Sequence, residues 1–227
     1  TDKSIRAKNR TQIAAYTRLT AFLSEQIQSK RHDTSDDLIS NLASAEIDGN
    51  QLREDEVVHI GSMLVVAGVE SLSSFMSVFV LNLLQNPRAL IRTRDDPSLI
   101  AFALEESLRF NTSAQRFKRV LTRDVELHGY HMREGDQVAL LYGSANRDPR
   151  KFDNPDIYDI DRNPRGHLGF GSGPHYCLGT SLARTVAAIS IGKILSKFPN
   201  LSLVKYPQNW VSSSNFRSPQ ELIVSSC

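Results

Sequence analysis

Apolar side chains at Ile13, Tyr16, Leu19, Phe22, Leu23 and Ile27 recur every three or four positions, which predicts a helix over residues 4–30. A polar break, Lys30–Asp36, follows, and Leu38, Ile39 and Leu42 predict a short second helix. Asp48-Gly49-Asn50 reads as a turn. A long helix is predicted from about Glu54 to Gln85, stopping before Pro87, whose ring cannot continue the hydrogen-bond ladder. Pro97 opens a further helix over 97–110, with Leu104, Leu108 and Phe110 on it.

The pattern changes after Asn111. Val120-Leu121, Val125–Leu127 and Val138–Leu141 predict short strands, separated by turns at His128-Gly129-Tyr130 and Glu134-Gly135-Asp136. Prolines and glycines make 143–176 a long irregular segment, and long coil within a compact domain is usually functional. A last helix is expected from about Leu178 to Lys197, with short strands near Leu201–Val204 and Leu222–Val224. The expected fold class is mainly α with a small β portion.

Composition narrows the classes. At 227 residues, 40% hydrophobic and 23% charged, the chain is long enough for a substantial core. Lys and Arg total 27 against 25 Asp and Glu, and a net charge of +2 gives no electrostatic case for nucleic acid or an anionic membrane surface. Two cysteines, Cys177 and Cys227, form no disulfide framework and fit a reduced, cytoplasmic compartment. The polar opening TDKSIRAKNR is followed by no signal-peptide apolar run. From Ile60 to Gln85 the sole charge is Glu70, a length that could span a bilayer; the serines and the mid-helix Glu favour a buried core helix instead.

The segment Phe170-Gly-Ser-Gly-Pro-His-Tyr-Cys177-Leu-Gly179 carries the most chemistry. Gly169, Gly171 and Gly173 let a backbone turn tightly and approach a flat ligand. Cys177 sits where this loop enters a helix, where N–H groups and the helix dipole favour a thiolate. A lone Cys is ordinarily a small buried hydrophobe, and the glycines by themselves suit a phosphate loop, although no Lys-Ser/Thr follows them. The full string, however, resembles the haem-ligand signature of the cytochrome P450 family. That resemblance implies Cys177 as the iron ligand, Phe170 beside the sulfur, and Gly171, Gly173 and Gly179 shaping the loop. It further implies His175 at a haem propionate and Ala183 one turn along the helix, with haem b (iron protoporphyrin IX) as cofactor.

Further stretches resemble the same family in the same order. Glu106-Ser-Leu-Arg109 is by itself an ordinary i,i+3 ion pair, and it resembles the family's Glu-x-x-Arg element. Phe152-x-x-Pro155-x-x-Tyr158-x-x-x-Arg162 resembles the segment supplying the third member of a buried ionic triad, with Tyr158 where Phe is usual. Glu106, Arg109 and Arg162 are thereby expected to be structural. Arg119, in Lys118–Thr122, is expected at a haem propionate, the bland alternative being a solvated strand-edge base. Ala67-Gly68-Val69-Glu70-Ser71 resembles the kinked oxygen-binding stretch of the long helix, with Ala67 and Gly68 against the haem and Glu70 and Ser71 as proton-relay acid and alcohol. Ser71 stands where Thr is usual and lacks the methyl that restricts the rotamer. Asp36-Asp37-Leu38-Ile39 and Ser144-Ala-Asn-Arg147-Asp-Pro149 are similar to soluble bacterial members.

The resemblance runs along nearly the whole chain, so residues 1–227 are expected to be the C-terminal, haem-binding part of a single P450 domain whose N-terminal half is absent. It implies a monooxygenase that inserts one atom of dioxygen into a small to medium-sized lipophilic substrate. Val66, Ala67, residues 111–117 and Ser213–Phe216 would line the substrate site. Electrons would come from a ferredoxin or flavodoxin with an NAD(P)H-dependent reductase, because no flavin or nicotinamide motif is present; neither nucleic acid nor membrane is expected as a partner. The alternatives are another haem-thiolate class (peroxygenase, reductase or isomerase), or a non-catalytic fragment or interaction module. Glu70 and Ser71 favour oxygen-linked proton delivery over the first, and Cys177 argues against the second.

Overall fold

The computed structural model describes residues 2–31 and 35–226, with side chains from residue 10 onward apart from the same gap. The elements are α1 (Asp2–Lys30), α2 (Leu38–Ala43), β1 (Glu46–Ile47), β2 (Asn50–Gln51) and α3 (Glu54–Gln85). They continue with α4 (Pro87–Asp95), α5 (Ile100–Phe110), β3 (Arg116–Val120), β4 (Val125–Leu127), β5 (Tyr130–Met132) and β6 (Gln137–Leu141). Last come α6 (Tyr142–Ala145), α7 (Thr180–Lys197), β7 (Ser202–Leu203) and β8 (Val224–Ser225), with single 3-10 turns at Pro97–Leu99 and Gly173–His175. The strands pair as four antiparallel two-stranded ribbons, β1 with β2, β3 with β6, β4 with β5 and β7 with β8. The architecture is therefore mainly α with a small β portion.

The chain divides within α3 into two compact units, residues 1–69 and 70–227. In the first, Leu23 and Ile27 of α1, Ala43 at the end of α2 and Val57 and Val58 of α3 form one apolar cluster. Asp37 caps α2, accepting from the N–H groups of Ile39 and Ser40 at 3.0 and 3.1 Å. The apolar stripe of α1 is buried only at its C-terminal end; Ile13, Tyr16 and Phe22 are exposed.

In the second unit, Phe75, Phe79 and Leu83 of α3 meet Ala103, Leu104 and Leu108 of α5 and Ala187, Ile191 and Leu195 of α7. Phe75 and Phe79 stack with centroids 5.7 Å apart. The C-terminal half of α3 is thus a core helix. The middle of α3 exposes Met63, Val65, Val66 and Val69, so the expected burial is interrupted there, between Val57, Val58 and Ser62 on one side and Ser74 onward on the other. Among the described residues, α3 is the one helix long and apolar enough to cross a membrane.

Other departures have local causes. Pro87 ends α3 and also opens α4, because proline at a first helical position lacks an N–H that would be unpaired anyway. Two of the three expected three-residue turns are two-residue turns. Asp48 and Gly49, and His128 and Gly129, all have positive φ, the requirement of the tight hairpin turn whose twist matches its strands. Asn50 and Tyr130 therefore begin β2 and β5, neither of which the sequence pattern predicts. The strand expected at Val120-Leu121 is the end of β3, which begins earlier at Arg116.

Leu104 lies at the junction of the α5 and α7 packing with 2% exposure, so Leu104→Ala should cost about 2–4 kcal/mol of unfolding free energy in urea. Phe102→Ala, at an exposed position two residues away, should change it by about 0.5 kcal/mol or less.

Candidate active site

The coil 143–176 has little regular structure, and its backbone is tied down by side chains. Glu106 and Arg109 of α5 are both fully buried. The Arg109 guanidinium donates from Nε and Nη2 to the two carboxylate oxygens of Glu106 at 2.8 and 2.7 Å. Its other N–H groups reach the carbonyls of Asn146, Pro155 and Ile157 at 3.0, 2.8 and 3.1 Å. Arg162 Nε donates to Glu106 Oε1 at 3.2 Å, and the Asp159 N–H joins the same oxygen at 2.9 Å. Arg162 also donates to the carbonyls of Asp153, Asn154 and Ile157. A buried carboxylate is tolerable only when its charge and lone pairs are matched, and here two guanidiniums and one N–H match them.

Tyr158 adds a hydroxyl to this wall. It is fully desolvated, donates to the Ala103 carbonyl at 2.9 Å and meets Ser107 Oγ at 2.9 Å. Burial pushes its phenol well above the ordinary tyrosine value, against a smaller opposing effect from Ser107.

The same coil delivers the glycine loop. Gly171 and Gly173 have φ of +73° and +67°, and a Cβ on Gly171 would come within 3.3 Å of the His175 carbonyl. A narrow hairpin follows: Tyr176 N–H bonds to Gly173 O at 2.9 Å and Cys177 N–H to Phe170 O at 2.9 Å. Thr180 Oγ1 then donates to the Cys177 carbonyl at 2.6 Å, and Gly179 caps α7. Cys177 is exposed at the start of α7, and a Cβ on Gly179 would lie 3.9 Å from its sulfur. Ala183 follows on the first turn of α7, half-buried. Cys227 lies outside the described residues, as do positions 32–34 of the expected polar break.

Arg119 on β3 and His175 on the loop line one cavity of about 300 Å³, with Leu140, Leu141, Tyr142, Ala145, Leu168, Ser172 and Pro174 as the rest of its wall. A guanidinium and an imidazole at the edge of a largely apolar slot suit a flat, apolar macrocycle that carries acidic groups. Arg119 currently donates to the Lys118 carbonyl at 2.9 Å. Ala67, Gly68 and Glu70 are exposed on α3 and Ser71 is half-buried, all within the helix Glu54–Gln85. The two segments expected to line the substrate site meet. Ala114 bridges to Phe216, Gln115 N–H donates to Asn215 O at 2.7 Å, and the rings of Phe117 and Phe216 meet edge-on at 6.1 Å.

Several buried partners have no single-position signal in the sequence. Asn146, fully buried, accepts the Leu168 N–H on Oδ1 at 2.6 Å and so holds the coil just before the glycine loop. Glu105, His167 and Arg184 form a second ionic cluster. The Glu105-Glu106 doublet was the available hint, since neighbouring helix residues face different surroundings.

A family model for cytochrome P450 matches residues 93–209. The chain is 40% identical over 204 residues to the biotin biosynthesis cytochrome P450 of Bacillus subtilis, covering 90% of this chain and 51% of that protein. It is 38% identical over 183 residues to steroid C26-monooxygenase of Mycobacterium tuberculosis, covering 81% and 49%. The crystal structure of P450BioI in complex with hexadec-9Z-enoic acid ligated acyl carrier protein superposes with a TM-score of 0.86 at 39% identity, over 92% of this chain and 53% of that one. The structure presents a thiol on a glycine loop at a helix start, behind a buried Glu–Arg–Arg lattice. The chain belongs to the cytochrome P450 family. It spans about half the length of the curated relatives it matches, and family membership implies haem b as cofactor.

Glu106→Gln removes the charge that both guanidiniums face and should cost about 3–5 kcal/mol in urea unfolding. Burial pushes the Glu105 carboxyl up, but hydrogen bonds from Arg184 and then His167 more than reverse this and hold it at about 2, below the ordinary 4.5. The folded value is the depressed one, so its stabilisation is complete above about 4.5 and is lost as pH falls towards 2. Glu105→Gln should therefore flatten the dependence of stability on pH in that window, measured by urea unfolding at successive pH values.

Proposed function

We propose that this chain forms the thiolate side of a haem-dependent monooxygenase that acts on a medium-sized lipophilic substrate. The observation that carries the reading is the exposed Cys177 at the mouth of α7, with Arg119 and His175 together in one apolar-walled cavity. Haem, when bound, supplies the reductive activation of dioxygen. Cys177 Sγ would hold the iron, and Arg119 and His175 would hold the propionates. Gly171 would let the backbone lie close, and Phe170, Gly179 and Ala183 would pack beside the ligand. Glu70 would exchange protons with solvent through its exposed carboxyl, and Ser71 Oγ would pass a proton onward.

The substrate reading is supported by the joined segments 111–117 and 213–216, whose Phe117 and Phe216 give an apolar lining. One relative is named for a steroid and one neighbour was crystallised with a fatty acyl carrier protein, both lipophilic. As in the soluble bacterial members the chain resembles, electrons would be delivered by a ferredoxin or flavodoxin with its reductase, in the cytoplasm.

In the full-length, haem-loaded protein, Cys177→Ser should abolish the thiolate-type absorption band of the reduced carbon monoxide complex; a surviving band would overturn the ligand assignment. Ser71→Ala should keep that band while raising hydrogen peroxide formed per NAD(P)H consumed, at the expense of product. Unchanged coupling would remove Ser71 from the proton path.

A further inference from the structure

Glu105 precedes the buried Glu106 on α5 and serves a different part of the molecule. Arg184 of α7 donates to its two carboxylate oxygens, Nε to Oε1 at 2.5 Å and Nη2 to Oε2 at 2.9 Å. His167 Nε2 stands 2.9 Å from Oε2. The tautomer follows from the other ring nitrogen. Gly169 N–H donates to Nδ1 at 3.0 Å, so Nδ1 carries the lone pair and the proton on Nε2 is donated to Glu105. One carboxylate thus joins α5, α7 and the entry of the glycine loop.

Both arms lead to Cys177. Arg184 lies over the Phe170 ring, 4.8 Å from its centroid, and the Phe170 carbonyl accepts the Cys177 N–H at 2.9 Å. Phe170 also meets the ring of Tyr176, the residue before the cysteine, edge-on at 6.4 Å. On the other arm, the Gly169 N–H held by His167 belongs to a residue pressed against α5, where a Cβ would come within 2.9 Å of the Leu108 carbonyl. The loop is therefore gripped at Gly169 and Phe170, and Phe170 O in turn fixes the backbone N–H of the cysteine.

We infer that Glu105 is a positioning residue for the Cys177 sulfur, acting through the His167 donor and the Arg184–Phe170 stack. The inference rests on the reading of Cys177 as the iron ligand. Glu105 and Arg184 keep 29% and 39% of their side-chain surface exposed, so solvent screening reduces what their pairing adds to global stability. Its effect is local, on how firmly the loop holds its shape.

The test uses the full-length, haem-loaded protein and two measurements: thermal unfolding by far-ultraviolet circular dichroism, and the rate at which the thiolate-type carbon monoxide band is lost in mild denaturant. Glu105→Gln and His167→Leu should lose the band about fivefold faster than the parent, a greater loss than any fall in their unfolding temperatures accounts for. His167→Gln keeps an amide donor that reaches Glu105, and should stay within about twofold of the parent. Cys177→Ser, carried in parallel, should have no thiolate band at all. If Glu105→Gln and His167→Leu match the parent while Cys177→Ser lacks the band, the positioning role falls and the ligand reading stands. Band loss that merely follows the unfolding temperature across the set, with no rescue by His167→Gln, also overturns it. A thiolate band in Cys177→Ser would overturn the ligand reading, and the inference with it.

Discussion

The buried carboxylate of Glu106 is the constraint on which the C-terminal unit depends. A coil of some thirty residues without a helix or strand ladder leaves its carbonyls without regular partners, and buried carbonyls must be paired. Arg109 and Arg162 supply that pairing, reaching carbonyls of Asn146, Asp153, Asn154, Pro155 and Ile157 between them. Two guanidiniums cannot be buried there without a counter-charge, and Glu106 provides it. The ionic group thus takes the place of secondary structure, holding an irregular segment in one conformation against the α5 surface.

That rigidity is transmitted to the cysteine. The coil ends in Asn146-anchored Leu168, the glycine turn follows, and Cys177 enters α7 with its N–H already bonded to Phe170 O. Glu105 closes the arrangement from the other side of α5 by gripping His167 and Arg184. Two adjacent glutamates therefore fix the two ends of one loop, Glu106 through the coil that leads into it and Glu105 through its first residues and the helix that follows. Fixing a reactive atom by surrounding shells rather than by its own bonds lets the sulfur remain exposed.

The long elements and the ligand loop were legible because their signals are local. The α3 and α7 patterns, the glycine loop and the Glu106–Arg109 spacing each lie within a few residues. What escaped needed information about φ or distant partners. Nothing in Asp48-Gly49-Asn50 says that two rather than three residues turn, yet positive φ at Asp48 and Gly49 decides that Asn50 pairs in a strand. Pro87 reads equally as a stop and a start, and only Asn86 ahead of it makes both true. Glu105, His167 and Arg184 are separated by 62 and 79 positions from partner to partner, so no periodicity could join them. Arg162 was accessible only through the family pattern, since its own neighbourhood, Asp159–Pro164, reads as ordinary solvated coil.

The two departures from the family pattern weigh differently for the same physical reason. At Tyr158 an added hydroxyl enters a desolvated wall, where an unpaired one would cost roughly 1–3 kcal/mol. It meets two partners, Ala103 O and Ser107 Oγ, and the ring keeps its edge-on contact with Phe110 at a 5.4 Å centroid distance. The change is compensated within the core, and removing the hydroxyl now would deprive Ser107 of its partner. At Ser71 the difference is a missing methyl on a half-buried helix position, which changes no hydrogen-bonding capacity and costs little packing. It widens the range of directions in which the hydroxyl can point. The first departure is absorbed by the fold, whereas the second bears on a proton path that depends on hydroxyl direction, so its consequence belongs to coupling efficiency rather than to stability.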